Sequence, residues 1–269
     1  MVVPLKRLEA AKSRLAPAVG GRRSEWALAF ARDTVAAVAA CPSVLDVAVV
    51  TDDPRARRAL RALGARILPD PPGDGGLNAA LAHGADRVRA LRPGARVATL
   101  NADLPALRPA ELQRVLDNAE LFPRAFLADA AGIGTTLLSA APDEELRPSF
   151  GGASRARHIA SGAREITLAD VPSVRRDVDT WEDLTAARRL GLGPHTSRYS
   201  GSVQATAYTF DPSTRHGSVL LDDGTPVPFE APAFDAGGLL LLRPGQRVRI
   251  ETSGEGAGMH IDLITLQTF

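Results

Sequence analysis

The chain predicts an α/β fold, a mostly parallel sheet with helices on both faces, followed by a small all-β barrel. Three observations predict it. Through the first two thirds, apolar runs of strand length alternate with runs at helical spacing. The segment "GLGPHTSRYSG", Gly191 to Gly201, is a linker by its Gly, Pro and Ser content. Beyond it come five strand-length runs divided by turn residues, with no convincing helix. The domains are therefore placed at residues 1–192 and 202–269.

The elements justify this in order. "MVVPL" reads as a strand, "SEWALAFARDTVAAVAAC" as a helix by its apolar spacing, and "VLDVAVVTDD" as a strand ending in acids. "PRARRALRALGA" is a helix stopped by Gly64, "RILPD" a short strand, "GLNAALAHGADRVRAL" a helix and "ARVATLNADLP" a strand. "PAELQRVLDNAE" continues as a helix, and "AFLADAAGIGTTLLSA" reads as two strands joined by a Gly-containing turn. In such a sheet ligands bind at the carboxyl ends of the strands. After the linker, "SVQATAYTFD", "HGSVLLDDG", "TPVPFE", "QRVRIETS" and "HIDLITLQTF" supply the five strands of the barrel.

Composition narrows the class. At 269 residues and 45% hydrophobic content the chain can fill a proper core. No run of about 18 apolar residues occurs and no signal-peptide pattern opens the chain, so a cytoplasmic protein with no membrane partner is expected. Cys41 is the single cysteine, which excludes an internal disulfide or a multi-cysteine metal site. The net charge of +1 offers no global attraction to nucleic acid. Residues 1–201 carry 28 basic and 23 acidic groups and residues 202–269 carry 4 and 8, so the barrel is the acidic part. All but two of the basic residues are arginine; the two lysines, Lys6 and Lys12, suggest a site that wants a compact ammonium.

Several short stretches carry chemistry. In "RRDVDTWEDL", an extended backbone puts Asp177 and Asp179 on one face, where either water screens them or a cation lies between them. Asp103 in "NADLP" follows an apolar strand; it either holds Mg²⁺ bridging nucleotide phosphates or caps the turn before Pro105. Three acids are too few for an all-protein Ca²⁺ cage and suit a metal that completes its shell with water and phosphate oxygens. Asp183 belongs to the following helix, where the dipole explains a first-turn acid. "PLKRLEAAKSRL" is either a solvated basic helix face or a loop cradling a triphosphate, with Lys12 and Arg14 neutralising the departing pyrophosphate. It has no G-x-x-x-x-G-K-[ST] pattern, which disfavours a Walker-type ATPase. "PGDGGLNAAL" is a Gly-rich loop that opens a helix near Asn78, a plain turn or an approach to a nucleobase. "GTTLL" and "FGGASRARH" bring hydroxyls, loosened backbone, Arg155, Arg157 and His158, suited to a small phosphorylated acid or to turn chemistry alone. A lone histidine such as His158 is more often structural than catalytic.

Taken in order, "PLKRLEAAKSRL", "GLNAAL", "NADLP", "GTTLL", "FGGASRARH" and "DVDTWEDL" resemble the guanylyltransferases that make the coenzyme F-420 precursor, acting on phosphoenolpyruvate or on 2-phospho-L-lactate. The resemblance covers about residues 1–192 and implies a Rossmann-like nucleotidyltransferase fold with a single mixed sheet, GTP as donor and Mg²⁺ as cofactor. It implies Asp103, Asp177 and Asp179 as metal ligands and Thr136, Gly151 and Ser154 as the phosphoenolpyruvate site. Lys6, Lys12 and Arg14 match its N-terminal basic motif, with Lys12 and Arg14 catalytic, and Asn78 its guanine-side loop. Protein partners would be a second copy of the chain or the downstream transferase of the same pathway.

The five-strand tail with "LRPGQRVRIE" resembles cold-shock domains, barrels of the OB class that bind single strands on exposed aromatics. The usual aromatic-rich second strand is here "RHGSVLLDDG", and the acidic charge repels phosphate, so nucleic acid is not the expected partner. The rivals are a sugar-phosphate or molybdopterin-type nucleotidyltransferase, a glycosyltransferase on a similar sheet, and a single-strand-binding protein led by the barrel.

Overall fold

The apolar runs of the first two thirds become one sheet in a computed structural model that describes residues 1–10, 15, 23–73, 75–199, 201–253 and 259–266. Strands β1 (Val2–Pro4), β2 (Ala48–Val50), β3 (Arg66–Leu68), β4 (Val97–Leu100), β5 (Arg124–Ala128), β6 (Thr135–Ala140) and β7 (Arg164–Glu165) lie in the order β3-β2-β1-β4-β6-β5-β7. β1 pairs parallel with β2 and β4, β2 with β3, and β5 with β7. β6 runs antiparallel to both β4 and β5, because a short turn joins it to β5, and it makes the sheet mixed. This is the expected α/β class.

The central strands read as continuous apolar runs because both faces are covered. Val3, Val49 and Leu100 point to one core, shared with helices α1 (Arg23–Ala39), α2 (Pro54–Arg61) and α4 (Pro109–Ala119). Val2, Val50 and Val97 point to the other, under α3 (Gly76–Leu91). Period two in the strands thus sends neighbouring side chains into different helix layers. α3 lies so close to the sheet that a Cβ at Gly84 would sit 2.6 Å from Val2 Cγ1 and 2.8 Å from Val50 Cγ2. Four shorter elements complete this part: a 3-10 turn at Leu8–Ala10, α5 (Ser154–Ala160), α6 (Pro172–Arg175) and α7 (Trp181–Leu190), before α8 (Pro194–Ser197).

The chain divides into two compact units, Met1–Thr196 and Ser197–Phe269. In the second, β8 (Gly201–Phe210), β9 (Gly217–Leu221), β10 (Pro226–Phe229), β11 (Arg247–Ser253) and β12 (His260–Leu266) form an all-antiparallel sheet ordered β10-β9-β8-β11-β12. The two outer strands, β10 and β12, approach each other. The expectation of no helix is corrected: α9 (Ala231–Ala236) packs on β12 and buries Ala233 and Phe234. Six residues with a proline at the second position are too short to show a helical period. Phe234 stacks on Phe210 with ring centroids 4.7 Å apart. Among the described residues, no helix is long and apolar enough to cross a membrane.

Candidate active site

β4 is buried throughout and ends at Leu100, so the polar residues that follow emerge at its carboxyl end. There the backbone N–H of Leu104 donates to Thr34 Oγ1 at 3.0 Å, which turns the chain and leaves Asn101 and Asp103 facing a cleft of about 630 Å³. The "DVD" segment lies directly alongside: Val178 N–H donates to the carbonyl of Asp103 at 3.0 Å. Val178 is fully buried, and its neighbours Asp177 and Asp179 both line the cleft. Asn101 Nδ2 reaches Asp177 Oδ2 at 3.5 Å and so ties the two segments a second time.

Both ends of that segment are pinned. Upstream, Arg175 donates to the carbonyls of Ala128 at 2.8 Å and of Ile166 and Leu168 at 3.1 Å each. Downstream, Thr180 caps α7: Asp183 N–H donates to Thr180 Oγ1 at 3.2 Å, and Asp183 Oδ2 accepts from Thr180 N–H at 3.0 Å. Asp183, expected merely as a first-turn acid, is the reciprocal half of this capping box and also pairs with Arg176 at 3.4 Å.

The donor set is all oxygen, which suits a hard divalent cation. Yet among the described residues no three metal-ligating side chains converge on one point. A hard cation bound here would complete its shell with water and phosphate oxygens. The acids fit a cation shared with a phosphorylated ligand.

Gly151 and Ser154 also line the cleft. Ser154 is 1% exposed, and among the described residues its Oγ has no hydrogen-bond partner. Thr135 lines the cleft, whereas Thr136 is fully buried, its Oγ1 likewise unpartnered among the described residues and its carbonyl accepting from Asn101 N–H. Lys6 lines the cleft from the end of β1; Lys12 and Arg14 lie outside the described residues. Asn78 is engaged with the backbone of Phe150, donating to its carbonyl at 3.2 Å and accepting its N–H at 2.7 Å. Beside the cleft a smaller hollow of about 290 Å³ includes Asp70, Gly73 and Leu77. Burial, and then the charge of Asp52, pushes the Asp70 carboxyl above its usual range.

Sequence reasoning missed Asn101 and Asp129, whereas Thr135 belongs to the hydroxyl-bearing "GTTLL" stretch it singled out. Asn101 had a signal, two residues before Asp103 in the same motif. Asp129 ends β5 just as Asp103 follows β4; its two oxygens accept Ile133 N–H at 2.9 Å and Gly134 N–H at 2.8 Å, shaping the turn that presents Thr135.

A model of the MobA-like NTP transferase domain matches residues 20–170. A phosphoenolpyruvate guanylyltransferase of Streptomyces coelicolor is 66% identical over 198 residues, which cover 73% of this chain and 93% of that one. The chain belongs to the phosphoenolpyruvate guanylyltransferase family. Its likeness extends to the Thermomonospora curvata member, 54% identical over 205 residues and covering 76% of this chain and 90% of the other. A solved structure assigned as a nucleotide-diphospho-sugar transferase of Desulfovibrio desulfuricans G20 superposes with a TM-score of 0.52 at 18% identity, covering 70% and 85%, and shows the fold this family member shares.

Proposed function

We propose that the chain is a guanylyltransferase that moves GMP from GTP to phosphoenolpyruvate, giving enolpyruvyl-diphosphoguanosine and pyrophosphate in coenzyme F-420 biosynthesis. The observation that carries this reading is one cleft that gathers Lys6, the acids Asp103, Asp177 and Asp179, and the Gly151–Ser154 wall. Family membership supports it. A phosphate oxygen of the acceptor attacks the α-phosphorus of GTP in line, that oxygen–phosphorus bond forms as the bond to the β-phosphate oxygen breaks, and pyrophosphate leaves with the electron pair. A phosphate is already ionised near neutral pH, so no general base is required, and positioning with charge neutralisation carries the rate.

Each group then has a task. Lys6 offers an ammonium to the triphosphate, and Lys12 and Arg14 are assigned the departing pyrophosphate. Ser154 Oγ, buried and unpartnered among the described residues, offers a hydroxyl to the acceptor beside Gly151, and Thr136, fully buried and outside the cleft lining, is assigned to the same acceptor. The proposed cofactor is Mg²⁺, which Asp103, Asp177 and Asp179 would hold and which, when bound, would neutralise charge on the transferring phosphate. The protein-level partners are the two substrates. The test is pyrophosphate release from GTP and Mg²⁺ with each acceptor separately, the product identified by mass. Release with phosphoenolpyruvate alone supports the reading, release with 2-phospho-L-lactate alone reassigns the acceptor, and silence with both rejects it.

A further inference from the structure

The Ser149–Gly152 loop forms part of the cleft wall and contains two adjacent glycines, Gly151 at φ +95° and Gly152 at φ +47°. A Gly-Gly pair loses more backbone freedom on ordering than any other dipeptide, so a loop built on it keeps one form only if something outside holds it. Here two distant side chains do so. Asn78, on α3, commits both polar atoms of its amide to Phe150, Oδ1 accepting the N–H at 2.7 Å and Nδ2 donating to the carbonyl at 3.2 Å. His158, on α5, accepts the Ser149 N–H on Nε2 at 3.1 Å. That bond fixes the ring proton on Nδ1, which donates to Thr135 Oγ1 at 2.9 Å on the neighbouring strand β6.

His158 is 0% exposed and sits between Phe126 and Phe150, with ring centroids 5.5 and 5.3 Å away. Arg157 closes the arrangement by donating to the carbonyls of Ser149 and Gly151. Burial, and then the nearby cations Arg124 and Arg157, lower the His158 pKa to about 4, which keeps Nε2 an acceptor at neutral pH.

We propose that Asn78 and His158 are positioning residues for the acceptor, holding the Ser149–Gly152 loop in the form that receives the phosphorylated acid. This rests on the transfer reaction proposed above, and it places Asn78 on the acceptor side rather than beside the guanine. The experiment uses the full chain with Mg²⁺ and compares Asn78→Ala, His158→Asn and His158→Gln. Steady-state kinetics give KM for GTP and for phosphoenolpyruvate separately, and hydrogen exchange follows the amides of Ser149 and Phe150.

Asn78→Ala and His158→Asn are expected to raise the phosphoenolpyruvate KM about tenfold, the equivalent of one lost hydrogen bond, and to change the GTP KM by less than about twofold. Their Ser149–Phe150 amides exchange faster. His158→Gln, whose amide oxygen reaches the place of Nε2, keeps the Ser149 bond and the wild-type acceptor KM. A rise in GTP KM with an unchanged acceptor KM, or unaltered exchange in Asn78→Ala and His158→Asn, overturns the inference. A glutamine variant as impaired as the asparagine variant removes Nε2 from it. If the wild-type protein transfers nothing to phosphoenolpyruvate, the reaction assignment has failed, and the exchange rates alone judge whether the two side chains hold the loop.

Discussion

Asp103 and Asp177 illustrate what a single side chain can be asked. Both line the cleft and neither fills a core position, so alanine at either should leave circular dichroism and Tm near the wild-type values. Turnover should fall by about 100-fold or more, the scale of losing one charge-stabilising group. A variant of near-normal rate would remove that residue from the cation site. His158 gives a pH prediction. Its pKa is lowered from 6.5 to about 4 in the folded chain, so the unfolded state binds the proton first. The stability due to the neutral ring is complete above about pH 6.5 and declines as pH falls toward 4. Tm measured from pH 7 to 4.5 should fall more steeply in the wild type than in His158→Gln, and parallel curves would contradict the assignment. Asp103 was legible because it follows an apolar strand, where the carboxyl-end rule applies; Asp177 and Asp179 were legible as a spaced pair, although the structure places them between α6 and α7 rather than on a strand. The Asn78–Phe150 bond was not, since nothing local relates residues 72 apart.

At the scale of elements, long periodic segments were readable and short ones were not. α1, α3 and α4 each present enough turns for an apolar face to recur, whereas α6 spans four residues and β7 only two, and their existence depends on neighbours they meet in the fold. One helix start was fully encoded. Asp53 precedes Pro54, and its Oδ1 accepts Arg55 and Ala56 N–H at 2.9 Å each, while Oδ2 accepts Leu8 N–H at 3.0 Å. Burial alone would raise this carboxyl's pKa, but the N–H groups of Ala56, Leu8 and Arg55 outweigh it and the net direction is down. Its contribution is therefore present above the unfolded value of 3.8 and is lost as pH falls through the lower folded value. Asp53→Ala should destabilise the first unit by about 2 kcal/mol at neutral pH. The midpoint would drop by roughly 4–8 °C. A shift under about 1 °C would mean that water replaces the carboxylate without cost.

At the scale of the whole molecule, the shift in periodicity at the linker coincides with a change of core. Among the described residues, the clusters built on Val3 and Val2 draw on the first unit, and the cluster built on Val248, Ile250 and Phe234 draws on the second. Two closed cores predict two independent folding transitions. The alignment with the Streptomyces coelicolor relative takes up 73% of this chain and nearly all of that one, so a protein with the shared chemistry exists without an added quarter. Every described residue that lines the cleft also belongs to the first unit. A chain ending at Gly201 should therefore fold, melt in a single transition and retain kcat/KM for GTP and phosphoenolpyruvate within about threefold, since mutational effects on independent regions add rather than couple. Native mass measured on both chains then separates the remaining roles of the second unit. A smaller oligomer after truncation makes it an assembly module, whereas a loss of turnover at constant mass would show that the first unit's site depends on residues outside its own core.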